Sequence, residues 1–209
     1  MSTSQVRIPA EERRQQILEL ATELFAKQGY QGTTTRQIAQ EVHVNEAIIF
    51  RHFPTKEELY WAVIENQIQV RGGRARLEEK LAAGGSDREL LTTIAEELLG
   101  RDVTLSRLLL FTALENHELT HRFFRTHVAQ YLDVLADYIR KGIADRRFRD
   151  VDPPLAARGF LGQLVYHFQI QELFGGKQVQ KFDPHQVAEV MVDIWLRGME
   201  RKPVAGSEH

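Results

Sequence analysis

The stretch GYQGTTTRQIAQEVHVNEAIIFRHFPTKEELYWAVIE, residues 29–65, decides how the chain folds. Its apolar residues recur at the 3.6-residue period of a helix, and no part of it alternates for long as a strand would. Gly29 ends a preceding helix whose face is Ile17, Leu18, Ala21, Leu24 and Phe25, with Pro9 and Glu11–Glu12 suited to the first turn. Three threonines, Thr33–Thr35, stand where a short helix from Thr35 to Val42 needs a cap. Asn45 then caps a second short helix, Glu46 to His52, which Pro54 ends. Ile38, Ala39, Val42, Val44, Ile49 and Phe53 supply a small shared core. Ala39 is the small residue where two helices approach closely. Two short helices joined by about three residues and preceded by a longer one describe a helix-turn-helix unit.

Working outward, Thr55 opens a long helix through Leu59, Tyr60, Val63 and Ile64 to about Leu81, and Gly84–Gly85–Ser86 breaks the chain. Helices are expected at 87–101, 103–115, 118–144, 153–174 and 184–200. Asp152 before Pro153–Pro154 and Asp183 before Pro184 are cap-plus-first-turn signals. Residues 202–209 are expected to fray. The fold class is therefore all-α.

Of the 209 residues, 43% are hydrophobic and 27% charged, enough apolar material for a packed core. Without cysteine, disulfide scaffolds, thiolate zinc sites and cysteine nucleophiles are excluded, and a reducing cytoplasm is the expected location. The start MSTSQVRIPAEERRQQ lacks the apolar core of a secretory signal. The longest apolar runs, near Leu105–Leu114 and Gly159–Phe168, are half a membrane span, so no membrane association is expected. Net charge is −2, and the first 60 residues hold seven Lys/Arg against eight Asp/Glu. Any nucleic-acid contact must come from a few placed residues.

The residues of this stretch closely resemble the N-terminal domain of the TetR (tetracycline repressor-like) family of transcriptional regulators. Gly29–Tyr30, Thr33–Thr34, Ile38–Ala39, Phe50, Phe53, Lys56 and Leu59 match its pattern at the right spacing. The likeness covers roughly residues 10–65, with a weaker echo in FRDVDPPLAARGFLG. His43 stands where the family commonly has glycine, Ala47 replaces a recognition-helix glycine, and Phe50 replaces the usual tyrosine. Histidine tolerates φ > 0 at some strain.

The resemblance implies a helix-turn-helix DNA-binding domain at 1–54, an effector-binding and dimerisation domain at 55–201 and a flexible tail at 202–209. It implies a homodimer on a palindromic operator, acting as a repressor and released by a small effector, with no cofactor and no enzymatic activity. Thr34 and Thr35 offer hydroxyl and backbone N–H donors to a phosphate. Arg36 reaches the backbone or a base edge. Asn45, Glu46, Ala47 and Ile48 open the recognition helix: Asn45 as cap or base contact, Glu46 as an acceptor for cytosine N4, Ile48 against a thymine methyl. Arg51, His52 and Lys56 lie where phosphates pass.

Two further sets belong to the remaining helices. In the family the last two helices pack across a two-fold axis. Here Gly159 and Gly162 give a small-residue stripe, with Leu161, Val165 and Phe168 as bulk, and Val187, Met191, Ile194 and Trp195 on the last helix. The same residues serve an intramolecular core equally well. For the effector, Phe111, Phe124, His127, Tyr131, Phe160, Gln163, Tyr166 and His167 are candidates to line an apolar cavity. The scarcity of inward cations points to a neutral or weakly polar hydrophobic ligand rather than a phosphorylated one, unless Arg122, Arg125 or Arg140 faces inside.

One enzyme-like signal competes. His117-Glu118-Leu119-Thr120-His121 is a literal H-E-x-x-H, with His127 at the third-histidine position of a zinc-protease pattern. On a helix His117 and His121 share a face, so a two-ligand metal site is geometrically allowed. Phe124 stands where that pattern needs a glycine for a sharp turn, and in a continuing helix His127 lies about 15 Å along the axis from His117. A zinc hydrolase is thus the alternative, and a helical binding protein without DNA activity is a third reading.

Overall fold

In the computed structural model the described residues are 9–115 and 117–201, apart from the His117 side chain. The expected tail, 202–209, lies outside the described residues. The described residues form twelve α-helices and no strand: α1 Ala10–Gly32, α2 Thr35–Glu41, α3 Glu46–His52, α4 Lys56–Val70, α5 Gly73–Ala83, α6 Asp87–Leu99, α7 Thr104–Glu115, α8 His117–Phe123, α9 Ala129–Ala144, α10 Pro153–Glu172, α11 Gly176–Val179 and α12 Pro184–Met199. A π-helical turn, Phe124–Val128, joins α8 to α9.

The caps are where the residue types place them. Thr34, Asn45, Thr55, Asp152 and Asp183 each accept a backbone N–H of the first turn they precede. Ser86 and Glu89 form a reciprocal capping box at α6. Each such cap satisfies a donor with no intrahelical partner and contributes about 1 kcal/mol.

Three expectations need correction. The helix expected over 55–81 is two helices, because Gly72 adopts a left-handed conformation (φ 76°) that ends α4 at Val70. The residues on both sides keep helical periodicity, so the pattern runs on through a turn that only glycine makes cheaply. Gly29 leaves helical geometry (φ 77°, ψ 176°) as expected, but the chain resumes one turn to Gly32. The helix expected over 118–144 carries the π turn, and α11 is a short extra helix after α10.

Packing groups the chain differently from the division expected after residue 54. Of the described residues, one compact unit takes in those up to Arg71 together with those from Thr104 to Arg122; the other takes in Gly72–Val103 and those from Phe123 on.

In the first unit Ile17, Leu18, Ala21 and Phe25 of α1 are buried with Ile38, Ala39, Ile49, Phe53, Leu59, Tyr60, Val63 and Ile64, and with Leu108 of α7. Tyr60 stacks edge-on against Phe25 and Tyr30. Its hydroxyl donates to Leu108 O at 2.7 Å and accepts from Thr112 Oγ1 at 2.8 Å, and burial pushes its pKa up to about 12. Glu115 of α7 accepts the Gln31 N–H at 2.9 Å, and Arg107 Nε donates to Ala26 O at 2.6 Å. A Cβ at Gly29 would lie 2.6 Å from Glu115 Oε1, so size and φ both demand glycine there.

The second unit has its own core. Leu91 and Ile94 of α6, Leu135 and Ile139 of α9, Phe160, Leu164 and Phe168 of α10, and Val187 and Val192 of α12 form one apolar cluster. Trp195 packs edge-on to Phe160 and Phe148, and its Nε1 donates to Ala156 O at 3.2 Å. Beside it Tyr138 donates to Asp87, which also receives Arg147, and burial first and then Asp87 raise the tyrosine's pKa.

Candidate nucleic-acid interface

The reading head is built from α2, the turn and α3. Ile38, Ala39, Ile49 and Phe53 are buried and lock the two short helices together, while Val42 and Val44 are half-buried. The turn closes through Val42 N–H to Ile38 O and Val44 N–H to Ala39 O. His43 takes φ 57°, the left-handed conformation its position calls for.

With α3 held this way, the candidate DNA contacts fall into two groups. Thr34, Arg36, Asn45, Ala47 and Arg51 are exposed; Thr35, Glu46, Ile48, His52 and Lys56 are half-buried. Several have intramolecular duties. Thr34 Oγ1 accepts the Gln37 N–H at 3.1 Å and Asn45 Oδ1 the Ala47 N–H at 2.9 Å. Thr35 Oγ1 donates to Glu46 Oε1 at 2.6 Å, joining the first turn of α2 to that of α3. Lys56 Nζ lies 4.3 Å from the centre of the Tyr30 ring; burial lowers its pKa, with Glu115 pulling the other way. Phe50 is 43% exposed, an apolar ring presented on the recognition helix.

Sequence reasoning missed Arg14. Its guanidinium lies 5.0 Å from the centre of the Phe53 ring, which brings a cation from the first turns of α1 to the end of α3. The two residues are 39 positions apart, and no local pattern distinguishes Arg14 from Arg13.

Comparison with known proteins agrees with this geometry. Residues 17–63 match the family described as "Bacterial regulatory proteins, tetR family". Residues 88–198 match the "AefR-like transcriptional repressor, C-terminal domain", which alone spans more than half of the chain. The chain belongs to the TetR family of transcriptional regulators. It is a helix-turn-helix, DNA-binding protein.

Relatives of this TetR-family regulator include the HTH-type transcriptional repressor Rv1474c of Mycobacterium tuberculosis, 27% identical over 86% of this chain and 89% of that protein. The HTH-type transcriptional regulator HbdR of Aromatoleum is 43% identical over 60 residues, but the match spans only 29% of this chain and 26% of HbdR. Among solved structures, FadR from Bacillus subtilis in complex with stearoyl-CoA superposes with a TM-score of 0.70 at 22% identity, covering 89% of this chain and 99% of FadR. NalD, the secondary repressor of the MexAB-OprM multidrug efflux pump in Pseudomonas aeruginosa, gives 0.68 at 23% identity, covering 92% and 99%. At these identities the two structures speak to the fold.

The other candidate sets of this TetR-family chain are scattered. Of the expected dimer residues, Gly159, Gly162, Val165 and Ile194 are exposed, and Leu161, Met191 and Trp195 are partly buried. Phe168 and Val187 must be reassigned: at 5% and 8% exposed they face the core of their own unit and have little surface left to offer. The eight expected pocket residues fall in both compact units, Phe111 in the first and the other seven in the second. Phe160 borders a packing gap, with Leu91, Leu135, Tyr138, Ile139, Ala157 and Trp195, that is too narrow for a water molecule. Phe111 belongs to the other compact unit, Tyr166 is 65% exposed, Phe124 is 44% exposed, and Gln163 donates to Met191 O at 3.2 Å. His167 packs against Phe182, and partial burial lowers its pKa. His127 lies against Phe123, while Tyr131 is packed on the core.

The cations bear on the ligand class. Arg122 lies 4.0 Å from the centre of the Trp61 ring, Arg140 pairs with Asp137, and both are exposed, as is Arg125. In the H-E-x-x-H stretch Glu118 and His121 are exposed, and the chain stays helical from His121 through His127. The His117 side chain lies outside the described residues. Among the described residues no helix is long and apolar enough to cross a membrane.

Proposed function

We propose that this regulator is a cytoplasmic repressor that binds a palindromic operator as a homodimer and is released by a small hydrophobic effector. Residues 1–54 act as the reading head and 55–201 as the sensing and dimerisation part. The observation that carries the reading is an apolar face on α10 and α12 that stands exposed among the described residues. Leu155, Val165 and Tyr166 of α10 are 66%, 39% and 65% exposed, and Val190 and Ile194 of α12 are 51% and 62% exposed. Gly159 and Gly162 lie on the same helix, where an added Cβ would meet nothing within 4 Å. An exposed apolar face of this character fits a subunit contact. Dimeric helix-turn-helix proteins read two half-sites about 34 Å apart, one turn of the duplex, and the same spacing is expected of this dimer on its operator.

In the operator complex, Thr34 and the backbone N–H groups of Thr35 and Arg36 meet a phosphate, Arg51, His52, Lys56 and Arg14 meet flanking phosphates, and Asn45, Glu46, Ala47 and Ile48 face the major groove. The hydrophobic-effector reading is supported by the aromatic composition of the second unit and by the outward placement of Arg125 and Arg140. That acyl-CoA is bound by FadR gives the apolar chain a precedent in the fold; a phosphorylated head group would need cations that these arginines do not supply from inside.

The test is a gel shift with the duplex upstream of the protein's own gene. Arg36→Ala and Lys56→Ala each weaken binding and reduce the salt slope by about one contact. Binding unaffected by both changes contradicts the assignment. A thermal-shift screen then sorts ligands: a hydrophobic compound that binds the folded state raises the melting temperature and releases the duplex. A shift with acyl-CoA but not with an uncharged analogue of the same chain, such as a fatty alcohol or ester, contradicts the neutral-ligand reading.

A further inference from the structure

The hydrogen bond from Thr35 Oγ1 to Glu46 Oε1, at 2.6 Å, joins residues eleven apart in sequence and ties together the first turns of the two helices that meet DNA. A hydroxyl has one proton to donate. With that proton on Glu46, the Thr35 side chain cannot also donate to a phosphate. Its N-capping neighbour Thr34 keeps its own hydroxyl proton, because there the oxygen is the acceptor, from Gln37 N.

What the bond does to Glu46 matters more. A free glutamate on a helix surface samples many rotamers, and ordering it costs side-chain entropy. Here the carboxylate is held in one place, half-buried, at the opening of the recognition helix. It remains an acceptor only, with lone pairs left on both oxygens. We propose that Thr35 is a positioning residue for Glu46, and that the fixed carboxylate selects cytosine at one position of each operator half-site. The inference rests on the operator-binding reading above.

The base chemistry narrows the choice. A carboxylate needs a donor in the major groove, and only cytosine N4 and adenine N6 offer one. Guanine presents N7 and O6 and thymine presents O4, all acceptors, which repel it. Adenine sets its N6 donor beside its own N7 acceptor, so a carboxylate reaching N6 meets an unfavourable lone pair on the same base. Cytosine presents N4–H₂ with a C–H beside it. Cytosine is therefore the base that the fixed carboxylate favours, by about ten- to a hundredfold over the others.

The experiment is selection from a randomised duplex library by the full-length protein, followed by titration of the enriched site at several salt concentrations. The wild type enriches cytosine at one position of each half-site. Glu46→Gln moves that position away from cytosine, toward the adenine that an amide reads in bidentate fashion, and leaves the other positions unchanged. Thr35→Val loses most of the cytosine preference at the same position with the salt slope retained, and Thr35→Ser restores it. Melting curves check that each variant folds; if Thr35→Val does not fold, Glu46→Gln and the serine variant still decide. A uniform loss of affinity across all sequences with Thr35→Val, cytosine preference intact, overturns the positioning role in favour of a phosphate contact. An unchanged site with Glu46→Gln overturns the proposal while operator binding stands. Failure of the wild type to enrich any sequence overturns both.

Discussion

Helices α1 and α10 look alike in sequence, each with apolar residues at helical spacing, yet they end in different situations. On α1 the stripe Ile17, Leu18, Ala21 and Phe25 is almost wholly covered, at 0–1% exposure, by elements of its own unit. On α10 one stripe, Ala157, Phe160, Leu164 and Phe168, is likewise buried, at 0–5%. A second set, Leu155, Val165 and Tyr166, faces the other way and stands 66%, 39% and 65% exposed among the described residues. One apolar stripe is what a helix at the edge of a core requires; a second stripe is surplus to the fold of the single chain. The glycines point the same way. Gly29 is forced by its φ of 77° and by Glu115, whereas Gly159 and Gly162 have helical backbone and open space around them. Among the described residues nothing lies close enough to exclude alanine at either position.

The largest effect expected from this contrast is that of Val165→Glu. If the second stripe is a subunit contact, an unpaired carboxylate is buried there at a cost of roughly 3–5 kcal/mol, and two-fold symmetry introduces it twice. Sedimentation should show monomers, and operator affinity should fall with them. A variant that remains dimeric breaks the comparison.

Next in size is Gly29→Ala on the α1 side. A Cβ there meets Glu115 Oε1 at 2.6 Å and Phe111 Cδ1 at 2.9 Å in a left-handed backbone. Strain and overpacking together should cost roughly 2–4 kcal/mol of stability, read as a lower midpoint in urea unfolding. An unchanged midpoint would mean that the Glu115 contact to Gln31 is not formed in solution.

The double change Gly159→Ala with Gly162→Ala sharpens the other side. Alanine in a helix interior is worth up to about 1 kcal/mol per site over glycine. The dimer should nevertheless dissociate at least about tenfold more readily because the close approach is lost, with helix content by circular dichroism undiminished. Greater stability with unaltered association would mean the glycines serve no partner.

His43→Gly should have the smallest effect. Relief of a left-handed non-glycine residue (φ 57°) is offset in part by the entropy of glycine, leaving a gain of about 0.5–1 kcal/mol in thermal unfolding. A loss of stability would show that the His43 side chain makes contacts that outweigh its backbone strain.

Much of this was legible in the sequence because it is local. Thr34, Asn45, Thr55, Asp152 and Asp183 cap helices because short polar side chains reach the first-turn N–H groups from that position. The shared core of α2 and α3 follows from apolar spacing alone. What escaped the sequence is non-local or hidden by continuing periodicity. The break at Gly72 falls at a glycine pair, Gly72–Gly73, between segments that each keep helical spacing, and the π turn at Phe124–Val128 leaves no change in composition. The Thr35–Glu46 bond and the approach of Arg14 to Phe53 depend on how helices cross. Periodicity also placed Phe168 and Val187 at a contact without telling the two faces of α10 and α12 apart, and burial gives both to the core.

The central claim, that two copies of this chain read one operator through α3, is tested most directly by hydroxyl-radical footprinting on the selected duplex, together with the stoichiometry of the complex. Two symmetric protected patches about one helical turn apart, with an even number of chains per duplex, are expected. A single patch with one chain bound, at full affinity and on a site without two-fold symmetry, would contradict it.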